Sequence, residues 1–314
     1  MKILITGING FVGSNLTKEW KGRHTLYGVD INQIPKEGVS KIFLWKELKE
    51  IPSVDVIVHL AGKAHDTKNE SEAPEYFAVN TELTQKIFDY FLESDAEKFI
   101  FFSSVKAAAE SVPDEFLTED VISAPKGPYG ESKIKAEEYI LSKQTLTAQR
   151  QKKAYILRPC MIHGPGNKGN LNLLYKVVKI GIPWPLGAYE NRRSFCSIDN
   201  LSYVVEQLIV RDDIPSGIYQ VCDDEALSTN ELIRLINESL GEKTWIWKLP
   251  KFFMTGTAAI CGALHLPLNK ERLRKLTENY VVSNQKIKSA LGIKKMPVSA
   301  QEGIKKTLES FKNG

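Results

Sequence analysis

The segment that most restricts the fold of this chain is Thr6-Gly7-Ile8-Asn9-Gly10-Phe11-Val12-Gly13. It joins the apolar run Ile3-Leu4-Ile5 to a helical pattern over Phe11 to Trp20. A short apolar run bounded by glycine reads as a buried parallel strand, so the glycines occupy a strand-to-helix turn. Each has a separable task. Gly7 permits the tight turn, Gly10 lets backbone approach a pyrophosphate, and Gly13 lets the helix pack on the strand. The helix N-terminus, at Phe11 and Val12, adds unpaired N–H groups and a positive dipole end for phosphates. The next strand-like run, Thr25 to Asp30, ends in an acid. A carboxylate there accepts hydrogen bonds from the adenosine ribose hydroxyls, and its charge opposes a 2′-phosphate. The residues that follow are Ile31-Asn32-Gln33, with no arginine, so NAD is expected rather than NADP.

The alternation continues. Asp55–Leu60 and Lys98–Ser103 read as strands, Ala78–Glu93 and Tyr129–Ser142 as helices, and Ala154–Arg158 as a strand stopped by Pro159. This pattern predicts an α/β fold, a Rossmann-type doubly wound parallel sheet. After about Gly164 the texture changes to short apolar pieces punctuated by proline and glycine. Gly217–Cys222 reads as a strand returning to the main sheet, and the remainder as mostly helical. The expected organisation is a dinucleotide-binding domain over 1–165, joined by a returning segment at about 193–222, with a smaller helical substrate lobe over 166–192 and 223–314.

At 314 residues the chain has ample length for a core. Its net charge of +4, without a long Lys/Arg block, argues against a nucleic-acid partner. Four cysteines lack Cys-x-x-Cys spacing and five histidines never sit at i, i+4, so reduced buried thiols and no metal site are expected. Met1-Lys2-Ile3 runs straight into a core strand, which argues against a signal peptide and for a cytoplasmic protein. The most apolar window, Phe252 to Leu266, is interrupted by Gly256, Gly262 and His265. It is too short to span a bilayer and is expected to be a packed helix, with no membrane partner.

Tyr129 and Lys133 lie at i, i+4, on one face of a helix. A free tyrosine has a pKa near ~10. A neighbouring ammonium and a positive nicotinamide ring would both favour the phenolate, and lowering the pKa by about 3 units requires roughly 4 kcal/mol. Tyr129 could then exchange the proton of a sugar or alcohol hydroxyl while hydride moves to the cofactor. Ser104, beside Ser103, ends the preceding strand at the sheet edge where such folds bind ligands, and its hydroxyl can orient the reacting oxygen.

Together the glycine turn, Asp30, His59-Leu60-Ala61-Gly62, Asn80, Ser103-Ser104, Tyr129–Lys133 and Leu157-Arg158-Pro159 resemble the extended short-chain dehydrogenase/reductase family, in its nucleotide-sugar epimerase/dehydratase branch. The resemblance implies NAD contacts from Gly7, Gly10, Phe11, Val12, Gly13, Asp30, Leu60, Ala61, Gly62, Ser103, Tyr129, Lys133 and Pro159. It implies catalysis by Ser104, Tyr129 and Lys133, and a substrate site that includes Ser104, with Asn80 there supporting the site more than touching the chemistry. His65 and His163 are further candidates for the substrate cleft, with ordinary packing the expected fate of each. Asn191–Asn200 resembles the family's arginine-containing stretch at the nucleotide diphosphate, with Arg193 the preferred ligand and Arg192 the alternative. A guanidinium fork donates two hydrogen bonds to phosphate at once.

The family's dehydratases carry an Asp-Glu pair after the catalytic hydroxyl residue. Val105-Lys106 stands there, which argues against dehydration. The implied activity is NAD-dependent C4 epimerisation of a UDP-hexose or UDP-N-acetylhexosamine through a 4-keto intermediate, in the context of polysaccharide assembly. The alternative is an NAD(P)H-dependent reductase of a nucleotide-linked 4-keto-6-deoxy sugar. The resemblance also implies a homodimer that pairs helices at about 78–93 and 129–142, which would set Leu83, Ile87 and Tyr90 on an outer face; the sequence is equally compatible with these residues facing the sheet.

Overall fold

The computed structural model describes residues 1–63, 72–112, 115–167, 169–263 and 270–312, with backbone only at 258–263, 270 and 272. The first half runs β1 (Lys2–Thr6), α1 (Phe11–Trp20), β2 (Thr25–Asp30), β3 (Val39–Leu44) and β4 (Val56–His59). Next come α2 (Ala73–Phe77), a π-helical turn (Ala78–Glu82), α3 (Leu83–Glu93) and β5 (Lys98–Phe102). Then follow α4 (Val105–Ala108), α5 (Pro128–Ser142), α6 (Gln144–Gln149), β6 (Lys153–Pro159) and β7 (Met161–His163). The second half carries α7 (Asn170–Lys179), β8 (Phe195–Ser197), α8 (Ile198–Val210), β9 (Gly217–Val221) and α9 (Thr229–Leu240). It ends with α10 (Lys251–Ala263), α11 (Lys270–Thr277), α12 (Gln285–Leu291) and α13 (Ala300–Lys312).

Seven strands form one parallel sheet in the order β3-β2-β1-β4-β5-β6-β9. The chain moves outward from β1 to β3 and then crosses to β4 on the other side of β1. This reversal opens a crevice at the carboxyl ends of β1 and β4. Strand side chains alternate between two faces. Ile3, Ile5, Val56, Val58, Ile100, Tyr155 and Leu157 pack on one core with α8. Leu4, Ile57, Phe99, Phe101 and Ile156 pack on the other with α3 and α5. A third apolar cluster lies among α7, α9 and α13.

The expected parallel sheet is present, and β9 returns to it beside β6. Two features differ from the sequence reading. β3 is an additional edge strand, and β7 and β8 make a small parallel pair of their own. β3 escapes a periodicity search because only Ile42 and Phe43 within it are buried. Ile87 is fully buried against the sheet rather than on an outer face, while Leu83 and Tyr90 are half-buried. Cys160, Cys196 and Cys222 are buried and free, and Cys261 lies outside the described side chains. Among the described residues no helix is long and apolar enough to cross a membrane, and no cluster could hold a metal ion. The apolar window begins within a helix, α10, and its side chains are described only over 252–257; His265 and Leu266 lie outside the described residues. Met254 is buried, but Phe252 and Phe253 stand in solvent.

Candidate active site

The site is assembled from loops at the carboxyl edge of the sheet. Gly7 follows β1 with φ +69°, a conformation that side chains disfavour. A Cβ there would meet the Ala61 backbone nitrogen at 2.7 Å. One at Gly13 would meet the Ile8 and Gly7 carbonyl oxygens at 2.7 and 2.8 Å. The glycines thus bring the β1 loop, the loop after β4 and the start of α1 to backbone contact. Gly10 caps α1 with no side-chain hydrogen bond, so the N–H groups at Phe11 and Val12 have no intrahelical acceptor. This cradle of backbone donors at a positive helix end fits a pyrophosphate. Gly7→Ala should lower stability by roughly 2–4 kcal/mol, from left-handed strain plus the clash with Ala61. The accompanying loss of bound dinucleotide is checked by thermal melting and by the 260/280 nm absorbance ratio of the purified protein.

Asp30 ends β2 with its carboxylate beside this loop, accepting from Asn9 N–H at 2.9 Å and from Ile31 N–H at 2.8 Å. Lys36 was not singled out from sequence. Its ammonium donates to the Ile8 carbonyl at 2.5 Å and to the Ser14 hydroxyl at 2.7 Å. Burial lowers its pKa and Asp30 raises it. A cation folded back over the glycine turn from six residues beyond Asp30 has no local sequence signal.

Behind the crevice, His59 bridges two hydroxyls. The Thr84 hydroxyl gives its one proton to the Asn80 carbonyl at 2.7 Å, so His59 Nε2 must donate to Thr84, at 2.9 Å. Nδ1 then accepts from the Thr6 hydroxyl at 2.6 Å, and Thr6 in turn accepts from Ala61 N–H at 3.2 Å. Full burial, reinforced by the Lys133 charge, holds His59 neutral, well below its ordinary range. The relay fixes the Leu60-Ala61-Gly62 loop against β1.

Ser104, Tyr129 and Lys133 meet at the opening. Ser104 caps α4, its hydroxyl accepting from Lys106 N–H at 3.2 Å, and it shares a side-chain hydrogen bond with Tyr129. The Tyr129 ring lies edge-on to Tyr76, with centroids 6.3 Å apart; Tyr76 is a second residue that sequence reasoning passed over. Burial pushes the Tyr129 phenol above its ordinary value, and the Ser104 bond opposes this. The Lys133 ammonium donates to the Phe102 carbonyl, at 2.8 Å, and burial lowers its pKa to about 8 against the pull of Glu137. Gly62 leaves room for this ammonium, because a Cβ there would sit 3.0 Å from Nζ.

Several expected ligands stand elsewhere. Asn80 is fully buried, in the π-helical turn. Its carboxamide accepts from Lys63 N–H at 2.7 Å, and donates to the Lys63 carbonyl at 3.1 Å and to the Ser132 hydroxyl at 3.0 Å. With both ends of the amide engaged, it clamps the loop to α5 behind the site rather than facing substrate. Ser103 turns its hydroxyl onto Glu137, leaving only its backbone toward the crevice. Pro159 is buried at the end of β6, paired with Val221. Arg193 is half-buried and its guanidinium donates to the Lys275 carbonyl; Arg192 is exposed, with its backbone N–H on Asn279. His65 lies outside the described residues. His163 is buried against Thr307 and Asp223, as ordinary packing. Lys106 folds over the Tyr280 ring, 4.5 Å from its centroid, and pairs with Glu110 at 3.2 Å.

Residues 3–222 match the sequence model of a family described as the NAD dependent epimerase/dehydratase family. The chain belongs to this family. It is 31% identical to a UDP-glucose 4-epimerase of Vibrio cholerae, over 98% of this chain and 95% of that protein. It is 24% identical to the N-acetyl-alpha-D-glucosaminyl-diphospho-ditrans,octacis-undecaprenol 4-epimerase of Escherichia coli O157:H7, over 91% of this chain and 84% of that one. The fold of the family is evident in the crystal structure of UDP-N-acetylglucosamine 4-epimerase from Bacillus cereus. It superposes with a TM-score of 0.77 at 18% identity, covering 99% of each chain.

Proposed function

We propose that this protein is an NAD-dependent 4-epimerase of a UDP-hexose or UDP-N-acetylhexosamine. The observation that carries the reading is the meeting of Ser104, Tyr129 and Lys133 beside the glycine cradle. The Vibrio cholerae relative, alike over nearly its whole length, points to the same chemistry. NAD held in the cradle would supply a hydride acceptor and donor for C4 and a positive ring that favours the Tyr129 phenolate. Tyr129 would take the proton of the sugar C4 hydroxyl as the C4 hydrogen leaves as hydride, giving a 4-keto sugar, and would return the proton when hydride is delivered to the sugar's other face. Ser104 holds the C4 oxygen, and Lys133 supplies positive charge and a donor toward the nicotinamide ribose. Because hydride and proton both return, no reductant is consumed.

Asp30 favours NAD, since its carboxylate opposes a 2′-phosphate. Arg193 would reach the diphosphate by leaving the Lys275 carbonyl. We assign the substrate lobe to 166–192 and 223–314, and expect a homodimer through α3 and α5, in a cytoplasmic enzyme that feeds polysaccharide assembly. Dehydration is disfavoured because no carboxylate follows Ser104. Val105 is buried in the core and Lys106 is engaged with Glu110.

The test is proton NMR of the purified protein with UDP-N-acetylglucosamine or UDP-glucose and no added cofactor. A new anomeric signal of the galacto epimer is expected. Its absence in folded protein sinks the assignment for these sugars and moves the search to 4-keto-6-deoxy substrates with NADH or NADPH.

A further inference from the structure

The second half of the chain exposes aromatic and aliphatic side chains that the epimerase reading does not use. Phe252 is 80% exposed, Ile180 71%, Trp245 63%, Ile182 62%, Phe253 55% and Trp247 52%. Backbone pairing places them together. Trp184 N–H donates to the Trp245 carbonyl and Trp247 N–H to the Trp184 carbonyl, both at 2.8 Å, so the segment that begins with Ile182 runs beside 245–247. Within that ribbon the side chains alternate. Ile246 turns inward onto Gly187, and Trp245 and Trp247 both turn outward. Ile180 closes α7 just before the ribbon, and Phe252 and Phe253 open α10 just after it. Exposed apolar groups gathered in one place mark an interaction surface, whereas scattered ones need no explanation.

The charge around these residues indicates the occupant. Segments 170–182 and 242–253 contain Lys176, Lys179, Lys243, Lys248 and Lys251 against a single acid, Glu242, and all five lysines are exposed. Tryptophan suits the headgroup level of a bilayer, with its ring in the apolar boundary and its N–H toward water, and each lysine gains from an anionic lipid surface. A second copy of the chain fits less well. A twofold contact sets a patch against itself, so five lysines would face five lysines.

We propose that this aromatic and basic surface docks the protein on an anionic membrane, lying on it rather than crossing it. Such docking asks for no spanning helix, and among the described residues none is long and apolar enough to cross a membrane. Docking is independent of whether the protein is an epimerase.

The experiment is co-sedimentation of the full chain with vesicles of phosphatidylcholine alone and of phosphatidylcholine mixed with phosphatidylglycerol, read together with tryptophan emission. The expected result is binding to the mixed vesicles only, weakened by salt, with a blue shift on binding. Trp20 and Trp184 are already buried and Trp45 is half-buried with its ring edge-on to His59, so the shift should come chiefly from the exposed Trp245 and Trp247. Trp247→Ser with Phe252→Ser should weaken binding roughly tenfold or more, and Lys248→Glu with Lys251→Glu should abolish the preference for anionic vesicles. Both pairs are exposed, so melting temperature should stay at the parent value. No binding to either vesicle overturns the proposal, as does binding that survives both pairs of substitutions. Concentration-dependent self-association abolished by Trp247→Ser, with no vesicle binding, overturns it in favour of a second copy.

Discussion

Tyr129→Phe should lower the epimerisation rate by about 10²–10⁴-fold while leaving the fold intact. The substitution removes one oxygen from a half-buried ring whose edge contact with Tyr76, at 6.3 Å, is made by carbon. What is lost is the group that shares a hydrogen bond with Ser104 and can carry the C4 proton. The pH dependence carries a second signature. Burial raises the Tyr129 pKa, so the phenolate fraction grows as pH rises through neutrality. The Lys133 ammonium, with a pKa of about 8, is lost above that value. The parent rate should therefore climb toward about pH 8 and level or fall beyond it, and the climb should be missing in Tyr129→Phe. Ser104→Ala should cost less, because it removes an orienting bond and leaves the proton carrier. The measurement is the initial rate of anomeric interconversion by NMR across pH 6–9, alongside thermal melting of each variant. A Tyr129→Phe rate within about threefold of the parent, far less than general acid–base catalysis contributes, would assign the proton to another group.

The parts of this site that were legible in the sequence are those whose physics is local. A positive φ at Gly7 and the close approach at Gly13 follow from a turn that must join a buried strand to a helix. The alternation of Ile3, Leu4 and Ile5 between two cores needs only a strand with a helical layer on each side. Tyr129 and Lys133 share a face because a helix puts i and i+4 together. What could not be read depends on where distant chain segments arrive. Lys36 covers the glycine turn only because the β2–β3 loop folds back. The family resemblance implies a cofactor contact from Ser103, yet adjacent residues of an extended chain point to opposite sides, and its hydroxyl meets Glu137. Asn80 fits the family motif, but a motif match does not say that both ends of its amide are engaged by Lys63 and Ser132. For Phe252 and Phe253, composition counts apolar residues and is silent on whether anything covers them.

Glu137→Ala should be the most destabilising single change at this site, although Glu137 touches neither substrate nor cofactor in the proposed chemistry. The carboxylate is fully buried on α5 and faces Arg158, which is 2% exposed on β6. Three charge-assisted contacts join them, Nε to the two oxygens at 3.0 and 3.1 Å and Nη2 to Oε2 at 2.5 Å. Arg158 Nη1 has no hydrogen-bond partner among the described residues, so Glu137 is the main compensation for the buried guanidinium. Removing one member of such a pair costs about 3–5 kcal/mol, a large share of the roughly 5–15 kcal/mol that holds a protein folded. Melting should fall by roughly 6–10 °C. Replacing both partners, Glu137→Leu with Arg158→Met, should recover much of the loss, because it removes the stranded charge as well. Equal melting of the single and double variants would mean that lost packing, not the unpaired guanidinium, sets the cost. Glu137→Gln separates stability from chemistry. It keeps the shape but withdraws the negative charge that raises the Lys133 pKa, so the ammonium should be lost at lower pH than in the parent. The high-pH limb of the rate profile should move down accordingly, with the low-pH limb unmoved. A purely structural Glu137 would lower melting and leave both limbs in place.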